Sequence, residues 1–431
     1  MRTAGASFLL AVLVAACGPA ARPPPAAGVL LITIDTLRAD RTEPYGHDLP
    51  TTPSLRSLAA RGTVHARCVS QHPETGPSLS ALMTSRYPRE TGVRENGVVL
   101  PAEFPVLSEV FGAAGYRTAA FVSTYLLKPH ACGLERGFAV YDHEMTRANL
   151  GHREFERPAA ETAERAVRWL ARDTGRPFFL WVHLYDPHGV YDPGDEVAGR
   201  FYRKSDRPPL DPGVIVAYQR FRDSLDPDGY EARYDGEVFL ADAGAGRVLA
   251  AAGPRAITAV TADHGEGFGE DGYWYRHGSL LNDAAVHVPL LFAGPGVPAG
   301  ERRAGVARLI DVGPTLLDLA GLPPLPFARG VSLARGNPEE PAFSEARRLG
   351  GVADRTGVDT RYKVSARTTE GTVVLFPGSD GDAGGPESGG ELDAALRRWL
   401  LIGDRLPGRE RPPDVGEAMR GLGYLRGVDG K

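Results

Sequence analysis

The strongest constraint on this chain is an alternation. Short apolar runs, several rich in β-branched residues, recur between longer segments of helical character. Val29–Ile34, Thr118–Ser123, Phe178–Val182, Ala256–Ala262 and Val288–Ala293 read as buried strands. Pro53–Ala60, Pro77–Thr84, Val106–Ala114, Ala159–Arg172, Ala232–Ala252 and Leu309–Leu319 read as helices, some opened by proline or closed by glycine. A strand that is apolar throughout is covered on both faces, and crossover helices provide that cover. The expected fold is therefore α/β, doubly wound about a mostly parallel sheet, over residues 28–340. From about Pro341 the texture changes. Tyr362–Ala366 and Thr372–Phe376 look like antiparallel strands, and 378–390 is a Gly/Ser/Asp-rich loop. Residues 341–431 are expected to form a small C-terminal α+β subdomain and tail.

Composition narrows the function classes. The chain has 431 residues, 42% hydrophobic and 24% charged, which excludes a disordered or fibrous protein. A formal net charge of −5 argues against a nucleic-acid binder, which usually carries a basic excess. Lys occurs only at 128, 204, 363 and 431, so Arg supplies nearly all the positive charge.

The first 17 residues have the pattern of a secretory leader: Arg2, an apolar run from Ala6 to Ala16, then small residues. Val14-Ala15-Ala16-Cys17 resembles the bacterial lipobox, whose cysteine is lipidated after cleavage. Residues 18–27, with Pro23-Pro24-Pro25, read as a stiff tether. The expectation is an exported lipoprotein, periplasmic or at the cell surface, held to the membrane by lipid at Cys17. Cys68 and Cys132 are either a disulfide pair, which export permits, or two buried thiols.

In an open α/β sheet, ligands bind beyond the carboxyl ends of the strands. Asp35 follows the first strand, Asp263 and His264 follow Ala256–Ala262, and His183, Asp186 and His188 follow Phe178–Val182. Carboxylates and imidazoles gathered at strand ends suit a divalent cation. Thr75-Gly76-Pro77-Ser78 precedes a helix, where free N–H groups and the dipole favour negative charge. Thr75 or Ser78 is either a helix cap or a hydroxyl placed for chemistry.

Together these segments resemble the sulfatase branch of the alkaline phosphatase superfamily. Val29–Gly46 (VLLITIDTLRADRTEPYG) is similar to the family's opening strand and metal-binding turn. Thr75–Pro88 (TGPSLSALMTSRYP) resembles its nucleophile segment, usually C-x-P-S-R followed by T-G-R-Y-P. Phe178–Pro193 resembles its substrate-histidine strand. TADHGEGFGE and HGSLLNDAAVHVPL, within Thr261–Leu290, resemble its D-H-G-E and H-G-x-x-L-Y-D-E segments. Asp311–Gly321 and Gly421–Leu425 resemble a late helix and a common tail. The resemblance implies that Asp35, Asp263, His264 and the Thr75 hydroxyl hold one divalent metal ion (Ca, Mn, Mg or Zn). It implies Thr75 as nucleophile, with His188 and His277 contacting the transferred group or leaving oxygen.

Departures from the pattern matter as much. Thr36 replaces the second Asp of the usual pair, Leu79 replaces the motif's Arg, and the Lys-containing G-K-W-H segment is not apparent after Gly115. Thr75 stands where the family has the Cys or Ser that is converted to formylglycine. Threonine cannot undergo that conversion, so the sulfate-eliminating route is closed. Fewer cationic contacts suit a monoanionic phosphodiester or phosphonate ester better than a dianionic monoester. The leading expectation is hydrolysis or transfer of such an ester through Thr75, on an anionic substrate such as an envelope glycan or lipid. The alternatives are a sulfuric ester hydrolase and a glycan-binding lipoprotein with a decayed site.

Overall fold

The computed structural model describes residues 27–149, 152–172, 174–347, 362–375 and 390–400. Cys17 and the leader, the tether through residue 26, nearly all of the 378–390 loop and the Gly421–Leu425 tail lie outside them. In chain order the main elements are β1 (Gly28–Ile34), α1 (Pro53–Ala60), β2 (Gly62–Val69), α2 (Thr75–Thr84), β3 (Arg117–Val122), α3 (Ala159–Leu170) and β4 (Phe178–Leu184). There follow α4 (Pro227–Ala252), β5 (Ala256–Ala262), β6 (Leu290–Ala293), β7 (Glu301–Arg308) and α5 (Val312–Leu319). A second sheet comprises β8 (Ala342–Arg347), β9 (Tyr362–Arg367) and β10 (Thr372–Leu375), with α6 (Glu391–Leu400) after it.

Val29 to Ile34 are buried, and this makes β1 the centre of the molecule. It pairs in parallel with β4 on one side and β5 on the other. The nine-stranded sheet runs His287–Val288, β2, β6, β5, β1, β4, β3, Val140–Asp142, with β7 beside β2. Its middle is parallel; β6 is antiparallel to both β2 and β5. The doubly wound α/β reading therefore holds, with an antiparallel insertion near one edge. The register places Ile34 opposite both Leu184 and Ala262. Three strands thus end at one level, and the residues after them meet.

Several local expectations need correction. The run Val288–Ala293 is two short strands, because Pro289 has no N–H to give the ladder. β4 extends through His183, so that histidine lies in the strand and not after it. α4 starts at Pro227, with Asp226 as its cap, five residues earlier than the apolar pattern suggests. The segment 309–319 opens as a short 3₁₀ turn before α5. β2 and β7 escaped the sequence reading: His65, Arg67 and three arginines of β7 break the apolar pattern. Cys68 and Cys132 are both free, buried thiols, so no disulfide links them. Among the described residues, no helix is long and apolar enough to cross a membrane.

The second sheet is antiparallel, as its sequence texture suggests. It docks against the segment leading to α2. Glu345 N–H donates to the Gln71 carbonyl at 3.0 Å, and Ser344 Oγ donates to the Ser70 carbonyl at 2.6 Å. The buried Arg94–Glu345 ion pair (2.8 Å) and the Tyr87 ring, edge-on to Trp399 and Phe343, complete the contact.

Because Leu31 is fully buried at the sheet centre, Leu31→Ala should destabilise the fold by about 3 kcal/mol. The check is a lowered urea midpoint with little change in the slope of the transition.

Candidate functional site

The common strand level brings three side chains together. Asp35 leaves β1, and Asp263 and His264 leave β5. Their ligand atoms lie within 4.8 Å of one another, and all three are fully buried. Asp263 Oδ1 accepts from the backbone N–H groups of Thr36 (3.2 Å) and His264 (2.8 Å). Its Oδ2, and Asp35 Oδ1, are buried without a hydrogen-bond partner. Burial and the neighbouring Asp263 raise Asp35 well above the usual carboxylate range. Two facing carboxylates with orphaned oxygens are costly in a dry site, and a divalent cation removes that cost. His264 Nδ1 is 2.9 Å from the Gly265 carbonyl and so carries the ring proton. Nε2 is thereby left as a ligand lone pair, 3.7 Å from Asp35 and 3.6 Å from Asp263. The donor set fits a divalent metal ion.

Gly265 allows this turn to form. A Cβ there would sit 1.9 Å from the Ala284 carbonyl oxygen. Thr36 pays with backbone strain. Its φ is +52°, unusual for a β-branched residue, while its N–H is tied to Asp263 and its carbonyl accepts from Tyr234 Oη at 2.7 Å. The position of the family's second Asp thus supplies a backbone donor in place of a carboxylate.

Thr75 is the first residue of α2, two residues earlier in the helix than the Pro77 start expected from sequence. Neither Thr75 nor Ser78 caps the helix: Glu74 holds the cap position, and Ser78 Oγ donates to the Asp263 carbonyl at 2.6 Å. Thr75 Oγ1 lies 3.4 Å from Asp35 Oδ2 and 3.5 Å from His264 Nε2. The hydroxyl therefore joins the cluster at a helix N-terminus, where the dipole favours negative charge. Leu79 is 0% exposed and belongs to the hydrophobic core, so no cation stands in its place.

His188 and His277 close the other side. The His277 ring centroid is 4.4 Å from that of His264 and 5.1 Å from that of His188. Burial and the other imidazoles hold His277 well below the ordinary histidine range and His188 at about 3, so both rings are neutral. His188 Nδ1 donates to the Gly189 carbonyl at 3.0 Å, and its Nε2 is buried without a partner. A cavity of about 300 Å³ opens beside His188, lined among others by Arg147, Tyr185, Phe221 and Glu237.

Asp186 is not part of this cluster. It accepts from Ala159 N–H at 2.8 Å and pairs with Glu237, which gives it a structural environment away from Asp35. His183, singled out only as a strand-end residue, supports Asp35. Thr33 Oγ1 takes the Trp181 indole N–H at 3.0 Å and turns its own proton to His183 Nδ1 at 2.8 Å. That leaves the ring proton on Nε2, 3.4 Å from Asp35 Oδ2. Two further residues drew no attention in the sequence. Asn96 Oδ1 accepts the Gly76 N–H at 2.7 Å, and its amide nitrogen is buried without a partner among the described residues, beside the start of α2. Glu266, burial of which raises its carboxyl to about 7, lies 3.3 Å from His277 Nδ1. Its only sequence signal was its place in the D-H-G-E turn.

Comparison with known proteins gives the family and the fold. The family model described as "Sulfatase" matches residues 28–322. The Δ4,5-hexuronate-2-O-sulfatase of Bacteroides thetaiotaomicron is 26% identical over 368 residues, covering 74% of this chain and 73% of its own. The ulvan-active sulfatase of Formosa agariphila is 25% identical, covering 83% of this chain and 78% of its own. The phosphonate monoester hydrolase of Agrobacterium radiobacter superposes with a TM-score of 0.65 at 22% identity, covering 82% of this chain and 87% of its own.

Titration with Ca²⁺, Mg²⁺, Mn²⁺ and Zn²⁺ by calorimetry should reveal one site per chain. Asp263→Ala should weaken it by about 100-fold or more, since loss even of outer partners costs 10–100-fold. At 100 times its Kd the preferred ion should add about 2.7 kcal/mol of stability. Equal affinity of wild-type and Asp263→Ala protein would remove the metal assignment.

Proposed function

The chain belongs to the sulfatase family of ester hydrolases, and we propose that within it this protein cleaves a phosphodiester or phosphonate ester through Thr75. The observation that carries this reading is the Thr75 hydroxyl, 3.4 Å from Asp35 and 3.5 Å from His264, in a site whose residue type forbids formylglycine. Oxidation at a threonine Cβ gives a ketone, not the aldehyde whose hydrate expels sulfate. A simple hydroxyl nucleophile remains, and phosphorus accepts such attack readily.

A divalent cation bound by Asp35, Asp263, His264 and the Thr75 hydroxyl supplies charge neutralisation and polarises the transferred group. The chain's own residues do the rest. Thr75 Oγ1 forms a bond to phosphorus as the bond to the leaving oxygen breaks. The proton lost by Thr75 is taken up by Nε2 of a neutral imidazole, His188 or His277, and passes from there to the leaving oxygen. Water then attacks phosphorus, the phosphorus–Oγ1 bond breaks, and Thr75 regains its proton. Asn96 contributes a neutral N–H donor beside Gly76 for the equatorial oxygens. With Leu79 in the core where the family has Arg, the pocket favours a group carrying one negative charge over one carrying two.

The cavity beside His188 is where the organic part of the ester would lie. The named sulfatase relatives favour a second reading, a sulfate ester on a glycan. We further infer an exported lipoprotein anchored through Cys17, from Val14–Cys17, with residues 28–340 as the catalytic domain and an envelope glycan or lipid as substrate.

A panel of aryl sulfate, aryl phosphodiester and phosphonate monoester, with and without chelator, separates the readings. The phosphorus esters should turn over and chelator should abolish turnover. Thr75→Ala should lower kcat by about 10³-fold or more while leaving the melting temperature nearly unchanged, and Thr75→Ser should retain measurable activity. Thr75→Cys coexpressed with a formylglycine-generating enzyme is the sharper test. Strong sulfatase activity of that variant would show a pocket shaped for sulfate and overturn the phosphorus-ester reading.

A further inference from the structure

We propose that Glu266 is a positioning residue, whose carboxylate fixes the His277 ring with its proton on Nδ1 and presents Nε2 to the reacting group. This rests on the functional reading above and deepens it.

Glu266 is fully buried, yet among the described residues no Lys or Arg side chain pairs with its carboxylate. Its partners are the Gly267 N–H on Oε1 at 3.1 Å, the Tyr191 hydroxyl on Oε2 at 3.1 Å and the Gln219 amide on Oε2 at 3.4 Å. The fourth is His277 Nδ1, almost equidistant from the two oxygens at 3.3 and 3.4 Å. A carboxylate only accepts hydrogen bonds, so this geometry places the imidazole proton on Nδ1. Nε2 then holds the lone pair. The ring sits with its centroid 4.4 Å from that of His264 and 5.1 Å from that of His188, inside the cluster that contains Thr75.

A buried carboxylate without a cationic partner is a poor structural choice, since an apolar side chain would fill the volume at lower cost. Three other elements converge on this one. Tyr191 comes from the loop after β4, Gln219 from the 217–219 turn and His277 from the end of strand Trp274–Arg276, while Gly267 is the next residue of the same turn. Glu266 itself lies two residues after His264. One turn therefore supplies both a ligand imidazole and the group that orients the neighbouring imidazole.

The consequence is a defined direction of proton movement. In the attack of water on the Thr75 ester, Nε2 takes one water proton as the oxygen–phosphorus bond forms. The phosphorus–Oγ1 bond breaks, and the proton passes from Nε2 to Oγ1. Nδ1–H stays on Glu266 throughout, and the carboxylate offsets the transient positive charge of the ring.

The test uses the full chain loaded with its preferred divalent ion and labelled with nitrogen-15 histidine. Long-range proton–nitrogen NMR reads the His277 tautomer. Wild type should show Nδ1–H. Glu266→Gln, whose amide can itself donate, should shift the ring toward Nε2–H and lower kcat on the order of 10²–10⁴-fold, as misplaced tautomers do. KM and the metal Kd should stay within about threefold. Glu266→Asp, which keeps the carboxylate, should restore Nδ1–H and a part of the activity. An unchanged tautomer in Glu266→Gln, or a shifted tautomer with unchanged kcat, would overturn the proposal. So would a collapse of KM and metal affinity together with kcat, because that marks a structural role. If wild type turns over none of the esters, the functional reading falls, while the tautomer still decides whether Glu266 orients His277.

Discussion

Two carboxylates held face to face in a dry site are the constraint on which the rest depends. Asp35 and Asp263 are fully buried, and each keeps an oxygen that no donor among the described residues reaches. Such an arrangement opposes folding unless a cation is shared between them. Everything around the pair holds it in place. The parallel register of β1 and β5 brings the strand ends level, the Thr36 N–H and the His264 N–H hold one Asp263 oxygen, and His183 stands behind Asp35. Thr36 accepts a left-handed backbone to make this contact. Strain there is consistent with a site that the surrounding sheet over-determines.

The start of α2 is shaped by the same requirement. α2 begins at Thr75 and stays buried along its length, so its first turn points into the protein and not into solvent. Ser78 ties the helix to the Asp263 carbonyl, and Asn96 ties its start to a neighbouring loop. The second sheet anchors the approach to this helix through Gln71 and Ser70 and through the Arg94–Glu345 pair. In the family pattern, cations stand near the transferred group. Here Leu79 faces the core, and Arg94 is committed to Glu345. Around the Asp35, Asp263 and His264 cluster the remaining groups are thus neutral imidazoles and amide donors, with Arg147 lining the cavity beside His188.

Much of this was legible in the residue order. The central strands β1, β4 and β5 are unbroken apolar runs, and such runs can only be covered on both faces. Asp35, Asp263 and His264 stood out because they follow those runs directly, and Thr75 because it opens a helix. Other features carried no usable signal. β2 and β7 contain histidine and arginine at positions that the sheet turns toward polar surroundings, so their pattern is not apolar. His183 looked equivalent to Asp186, three residues on. One sits inside the strand facing Asp35 and the other turns away toward Glu237, and only the end of β4 distinguishes them.

The sequence alone determined the α/β class, the candidate ligand residues and the absence of a cysteine or serine at position 75. Those properties live in residue type and in the distance of a residue from its own strand or helix. Tertiary structure decided which of those residues meet. It set the strand level that joins Asp35 to Asp263, separated Asp186 from His183, left Cys68 and Cys132 as separate thiols, and brought Glu266 beside His277. Each of these is a contact between elements remote in the chain. Contacts of that kind depend on register and packing across the sheet, and register is a relation between strands that no single segment encodes.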